Sequence, residues 1–229
     1  MEQLHNGFTL ELCPGSFPLS TDSIALADFT RLPKNARVLD LGAGCATLGM
    51  MLLAKDPHCH VTGIEIDNAA HSTALVNAAA NQVADRYQSI CADLRTIADH
   101  AKAGSFDLCI SNPPYFSGGF VSKQHAAARQ ELFCNPEELF RAAAYTLRFG
   151  GDFYIVHKPE KLAQLCGCAA AAGLEAKRLR LVRHQPNAPV SLILLQFRKG
   201  AKPGLVWEEL FLHNADGSPS EDYRRLYHL

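Results

Sequence analysis

Along most of the chain, short apolar runs rich in β-type residues alternate with stretches of helical periodicity. "RVLDLG" (37–42) reads as a buried strand ending in glycine, and "ATLGMMLLAK" (46–55) as a helix. "HVTGIEID" (60–67) is a second strand. "NAAHSTALVNAAANQ" (68–82) is an alanine-rich helix capped by Asp67 or Asn68. "YQSICAD" (87–93) and "SFDLCIS" (105–111) are a third and a fourth strand. "NPEELFRAAAYTL" (135–147) is a helix with Asn135 as cap and Pro136 at its first position. "GDFYIVH" (151–157) is a fifth strand, and "PEKLAQLCGCAAAA" (159–172) a helix closed by Gly173. "LEAKRLRLVRH" (174–184) and "PVSLILLQFRK" (189–199) are two more strands. The link between them is too short for a parallel crossover, so that pair is expected to be antiparallel.

Strands alternating with helices predict an α/β protein with a mostly parallel sheet. Five βα units followed by an antiparallel pair resemble the Rossmann-like class I methyltransferase fold, seven strands with the last antiparallel. Residues 1–36 are expected to form an N-terminal extension, with a strand or hairpin arm at "GFTLEL" and a capped helix at "STDSIALADFTRL" (20–32). Residues 37–199 form the core, and 200–229 a tail with a hairpin turning at Asp216-Gly217 and a short helix at 220–228.

Composition narrows this only in places. The 229 residues, 48% hydrophobic, suffice for one full core. No run is long and apolar enough for a membrane helix, and "MEQLHNGFTLEL" lacks the form of a signal peptide, so a cytoplasmic protein is expected. Eight cysteines occur without a C-x-x-C, and Cys166 and Cys168 have the wrong spacing for zinc, so no metal is expected. The net charge of −1 is unevenly spread: residues 1–116 carry −5, 117–203 carry +7 and 204–229 carry −3. The basic middle suits either a polyanion or solvated surfaces. Its cluster Lys177, Arg178, Arg180, Arg183 and His184 alternates along a strand, so only part of it faces any one way.

Ligands of parallel α/β sheets bind beyond the carboxyl ends of the strands, where strand order reverses. Four strand ends carry suitable chemistry. After the first, "DLGAGCATLG" offers Asp40, Gly42 and Gly44; glycines permit a tight turn and close ligand approach. A nicotinamide fingerprint would need glycine where Thr47 stands. The turn also serves simply to join strand to helix. Glu65 in "GIEID" can accept hydrogen bonds from two ribose hydroxyls, or cap a helix, a role Asp67 fills better. Asp93 in "CADL" can accept from an adenine amino group with Leu94 packed on the ring, or again cap a helix.

The fourth end, "SNPPYF" (111–116), is the most specific. Asn112-Pro113-Pro114-Tyr115 resembles the (Asn/Asp/Ser)-Pro-Pro-(Tyr/Phe/Trp) signature of methyltransferases acting on planar amino groups. With "FPLSTDSIALADF", "VLDLGAGCATLG", "GIEID", "AARQEL", "HKPEKL" and "KGAKPGL" in this order, the chain from Phe8 to Tyr227 is similar to the bacterial family that methylates N6 of the adenine just 3′ of the anticodon of valine tRNA. It departs from that family in Ala46, where a glycine is usual, and in "ARQE" for "ARHE". Alanine being nearly as small, the first departure is expected to matter little. The resemblance implies S-adenosylmethionine as cofactor, held by Asp40, Gly42, Gly44, Glu65, Asp93, Leu94 and Asn112. It implies catalysis by Asn112, Pro113, Pro114 and Tyr115, with tRNA as partner; the sequence leaves the oligomeric state open, a monomer being slightly favoured. Lys123, His125 and Arg129 in the long connection 116–134 could reach phosphates or simply be solvated. The rival readings are an rRNA guanine-N2 or protein glutamine-N5 methyltransferase, and a catalytically silent cofactor- or RNA-binding protein.

Overall fold

The structure, a computed structural model, describes residues 2–16, 18–114 and 135–227. Tyr115, Lys123, His125 and Arg129, on which expectations were placed, lie outside these residues. In chain order the strands are β1 (Glu2–Gln3), β2 (Thr9–Leu10), β3 (Arg37–Leu41), β4 (His60–Glu65), β5 (Tyr87–Cys91), β6 (Phe106–Ser111), β7 (Leu147–His157), β8 (Leu174–Arg183), β9 (Val190–Lys199) and β10 (Val206–Phe211). The helices are α1 (Thr21–Phe29), α2 (Thr47–Lys55), α3 (Asn68–Ala80), α4 (Ile97–His100), α5 (Pro136–Thr146), α6 (Leu162–Ala171) and α7 (Glu221–Tyr227).

β3 to β10 form one sheet in the order β10-β8-β9-β7-β6-β3-β4-β5. Only β9 runs antiparallel to its neighbours, β7 and β8. The central strands are apolar on both sides, so alternate residues feed two cores. Val38, Tyr154, Val156 and Leu194 meet α1, α2 and α3 on one face; Leu39, Phe153, Ile155 and Phe197 meet α5 and α6 on the other. The second core includes edge-to-face rings, Phe140 lying 5.1 Å from Phe153 and 5.2 Å from Phe197. Helix starts follow their caps: Ser20 accepts from Ser23 N at α1, Asp67 from Ala70 N at α3, and Asn135 with Glu138 forms a reciprocal capping box at α5. The N-terminal segment is laid along α3 by two amides. Asn81 bonds both N and O of Thr9, and buried Asn77 bonds both N and O of Glu11.

The sheet has eight strands rather than the seven expected. The tail was expected to begin as a hairpin, but Val206–Phe211 instead pairs parallel to β8 and becomes the outer strand. β9 ends beside the start of β8, Lys199 opposite Leu174, so a short link can carry the chain past that point and along β8 in the same direction. Charge fixes the placement. Glu208 on β10 accepts from Arg178 and Arg180 on β8 at 3.1 and 2.8 Å, and Glu209 accepts from Arg183 at 3.0 Å. Arg180 also reaches Asp28 of α1 at 2.6 Å, and Arg178 stacks 4.2 Å over the ring of Phe29. The basic cluster of the sequence is therefore largely neutralised by the acidic tail. Beyond β10 a tight turn does form, with Gly217 N donating to Asn214 O, and α7 follows. Tyr227 of α7 shares a 2.8 Å hydrogen bond with Thr21 at the start of α1.

Candidate active site

β3, β4, β5 and β6 are parallel, so their carboxyl ends emerge along one edge. The turn after β3 is tied to β4: the N–H groups of Gly42 and Ala43 both donate to Ile64 O at 3.0 Å, and Gly44 N donates to Glu65 Oε2 at 2.7 Å. Gly42 and Gly44 have φ of +76° and +55°, and a Cβ built on either would point into open space. The turn is a cradle whose inner side is bare backbone. Ala46, next in the turn, also adopts a left-handed conformation, φ +69°. Its size was the wrong thing to weigh: a glycine is freer here because of φ, and alanine carries a conformational cost.

Glu65 ends β4. Its Oε1 accepts from Asp67 N at 2.8 Å and its Oε2 from Gly44 N, leaving lone pairs unused, while Asp67 caps α3. Asp40 is 1% exposed, and neither carboxylate oxygen has a hydrogen-bond partner among the described residues. Burial, and then the nearby charge of Glu65, push its pKa up to about 7; the N–H of Gly49 pulls the other way without completing a hydrogen bond. The hydroxyl of Tyr87, also buried and without a well-formed hydrogen bond among the described residues, is pushed up by burial and by Asp40, with Ser89 pulling the other way. A side chain on Gly63 would collide with that hydroxyl at 2.6 Å, so glycine is required for the ring to fit.

Asp93 follows β5, but its carboxylate is taken up locally. It accepts from Arg95 N at 2.8 Å and from Arg95 Nε at 2.8 and 3.0 Å, which holds its pKa below the usual carboxylate range. It thereby caps a turn of 3-10 helix at 94–96, and Leu94 packs half-buried against the second core.

β6 is fastened to β3 by Ser111 Oγ donating to Leu41 O at 2.7 Å. The next residue, Asn112, is partly buried, and its Nδ2 donates to Ser23 Oγ of α1 at 3.0 Å. Pro113 and Pro114 line a cleft of about 80 Å³ with Leu139, Ile155, His157, Lys161 and Leu165. Burial lowers the His157 pKa, and its Nδ1 accepts from Lys158 N at 2.8 Å. The structure thus gathers Asp40, Gly42, Gly44, Glu65 and Asn112 at one edge, with Asp93 at the adjacent strand end. Ser23 and Tyr87 were missed. Ser23 carries no local signal beyond belonging to a capped helix start.

The methyltransferase small-domain family matches residues 21–165, from α1 to the first turn of α6. Among curated proteins, a tRNA1(Val) (adenine(37)-N6)-methyltransferase of Dickeya chrysanthemi is 31% identical over 187 residues, 80% of this chain and 74% of that protein. One of Bacteroides fragilis is 29% identical over 210 residues, 91% of this chain and 88% of that protein. A crystal structure from Agrobacterium tumefaciens, described as a predicted O-methyltransferase, superposes with a TM-score of 0.77 at 19% identity, covering 91% of this chain and 96% of that one, which supports the fold. By the family match over residues 21–165 and the likeness to these relatives over most of its length, the chain belongs to the methyltransferase small-domain family, together with the tRNA1(Val) (adenine(37)-N6)-methyltransferases.

Proposed function

We propose that this protein transfers a methyl group to the exocyclic N6 of an adenine in tRNA, adenine 37 of tRNA1(Val) being the target its relatives' names give. The observation that carries the reading is Asn112-Pro113-Pro114 at the end of β6, beside the turn after β3, in a chain so extensively similar to those relatives. S-adenosylmethionine supplies the methyl group. The residues suit it: the bare turn at Gly42 and Gly44 leaves room for its amino-acid end, and the spare lone pairs of Glu65 suit ribose hydroxyls. Asp40, buried below, shapes the turn's electrostatics rather than meeting the cofactor through an open face.

The difficulty of the reaction is the substrate nitrogen, whose lone pair is delocalised into the ring. Asn112 Oδ1 and the Pro113 carbonyl can each accept one amino hydrogen and turn that lone pair toward the methyl carbon. The proline rings fix φ and hold the carbonyl still. Such a site works by positioning and preorganised dipoles and needs no strong base. Asp93 would contribute an adenine contact only through lone pairs that Arg95 leaves free.

The direct test is transfer of labelled methyl from S-adenosylmethionine to total tRNA, with nucleoside mass spectrometry of the product. N6-methyladenosine in tRNA is expected. Label in rRNA or in a protein glutamine, with none in tRNA, would overturn the reading.

A further inference from the structure

We infer that Asn77 is a positioning residue for the cofactor: its side-chain amide holds the peptide between Cys45 and Ala46 in the orientation that shapes the glycine turn. The inference rests on the reading above that this turn seats S-adenosylmethionine.

Asn77 lies on α3 and is 1% exposed. Its Oδ1 accepts from Glu11 N at 2.7 Å, and its Nδ2 donates to Glu11 O at 2.9 Å and to Cys45 O at 2.8 Å. All three partners are backbone groups with fixed roles, since an N–H only donates and a carbonyl only accepts. The amide can therefore stand only this way round, with both of its hydrogens used.

Cys45 O belongs to the peptide that leads into Ala46. The other end of that peptide is held as well, Ala46 N donating to Ala43 O at 2.9 Å within the turn. Ala46 needs such holding, because its φ of +69° is unfavourable for a residue with a Cβ. Turning the Cys45–Ala46 peptide over would bring Ala46 to a negative φ and relieve that cost. It would also break the bonds at both ends of the peptide and reshape the turn. Asn77 opposes this relief by gripping the carbonyl end from a buried position on a neighbouring helix. Gly42 and Gly44 carry positive φ with no such cost. Asn81, one helical turn on, supplies an internal control. It makes the same pair of bonds to the N-terminal segment, to Thr9 N and O at 2.7 Å each. Its other bonds go to Asn77 O and Met50 Sδ, not to the turn.

The test is calorimetric titration with S-adenosylmethionine of the full chain and its variants, with each melting temperature recorded. Asn77→Ala is expected to weaken binding about tenfold, the ratio that a typical net hydrogen bond maintains. Asn81→Ala loosens the same N-terminal segment, so it should lower the melting temperature yet leave affinity within about twofold of wild type, the range of independent sites. Ala46→Gly should change affinity little by itself. In the Asn77→Ala background it should recover most of the lost affinity, because glycine keeps a positive φ without the clamp. Should Asn77→Ala not fold, Asn77→Asp takes its place: it keeps an acceptor for Glu11 N, loses the donor to Cys45 O, and is read through the same rescue by Ala46→Gly. Affinity of the Asn77 variant close to wild type, an equal loss in Asn81→Ala, or no recovery with Ala46→Gly would each overturn the inference. A wild-type chain that does not bind S-adenosylmethionine would overturn the reading beneath it, a failure visible before any variant is made.

Discussion

The edge around the glycine turn and the outer edge formed by β8 and β10 both concentrate charge, and they dispose of it in opposite ways. On the outer edge Arg178, Arg180 and Arg183 each find a carboxylate, from Glu208, Glu209 or Asp28. On the glycine-turn edge Asp40 is buried with no hydrogen-bond partner for its carboxylate among the described residues, and the charge of Glu65 further opposes its ionisation. Pairing serves to place a strand. An unpaired buried carboxylate destabilises the fold, and such sites concentrate where chemistry is done. Three arginines of the basic cluster are thus paired within the fold, while the apolar run around Asp40 conceals the more unusual group.

The sharpest way to break this contrast is through pH. The pKa of Asp40 is about 7 in the fold against an ordinary 3.8. The unfolded chain therefore gives up this proton first as pH rises, and the fold loses stability between about pH 4 and pH 7. The swing is at most ~4 kcal/mol. Denaturant titrations of wild type and Asp40→Asn across that window should diverge by a few kcal/mol, with the variant gaining at the alkaline end. Parallel curves would mean that Asp40 is solvated or paired. Next in size, Asn112→Ala is expected to cost on the order of 10²–10³ in turnover, the loss typical of one preorganised polar group, with cofactor binding largely kept. Activity within tenfold of wild type would remove Asn112 from the chemistry.

Glu65→Gln tests the two carboxylates together. It should weaken S-adenosylmethionine about 10–100-fold by calorimetry, the range for losing charged hydrogen bonds. It should also narrow the pH window of Asp40, since the Glu65 charge is the second cause of its raised pKa. Unchanged affinity would leave Glu65 as a brace for Gly44 only. On the paired edge, Glu208→Ala takes a carboxylate from two largely buried arginines, of which Arg180 keeps Asp28. Because the Glu208 side chain is 40% exposed, solvent screens the loss to ~1 kcal/mol, a fall of about 2–4 °C in melting temperature with methyl transfer at room temperature retained. Smallest of all, Ala46→Gly should relieve the left-handed backbone and stabilise by ~0.5 kcal/mol, the gain being offset in part by a lost buried methyl. A clear loss of stability would show that packing of the methyl outweighs φ.

Much of the fold was legible because its determinants are local. The buried strand at Arg37–Leu41, the cap at Asn135 and the closing Gly173 follow from the spacing of apolar residues and from backbone rules that act over a few positions. Gly42, Gly44 and Asn112 were legible for the same reason, each lying just past an apolar strand. The eighth strand was not, because "LVWEELFL" pairs with residues near 178–183 through charges that no short window contains. The left-handed φ of Ala46 was hidden because composition reports size and not conformation. Ser23 stands 89 positions before Asn112, and only the packing of α1 against the sheet brings them together. Asp93 was ambiguous in the sequence and shows its ambiguity physically: the arginine two residues on competes for the carboxylate that a cofactor would use.

The bond between Thr21 and Tyr227 spans 206 positions. During synthesis the strands that carry the glycine turn and Asn112 emerge and can pair long before Tyr227 is added. Until then the start of α1 lacks its distal anchor, while the far end of the helix is already held by Arg180 on Asp28. Local contacts form early and distant ones late, because loop closure must be met first. A nascent chain can therefore have β3 to β9 paired while the start of α1 still lacks the contact that Tyr227 supplies.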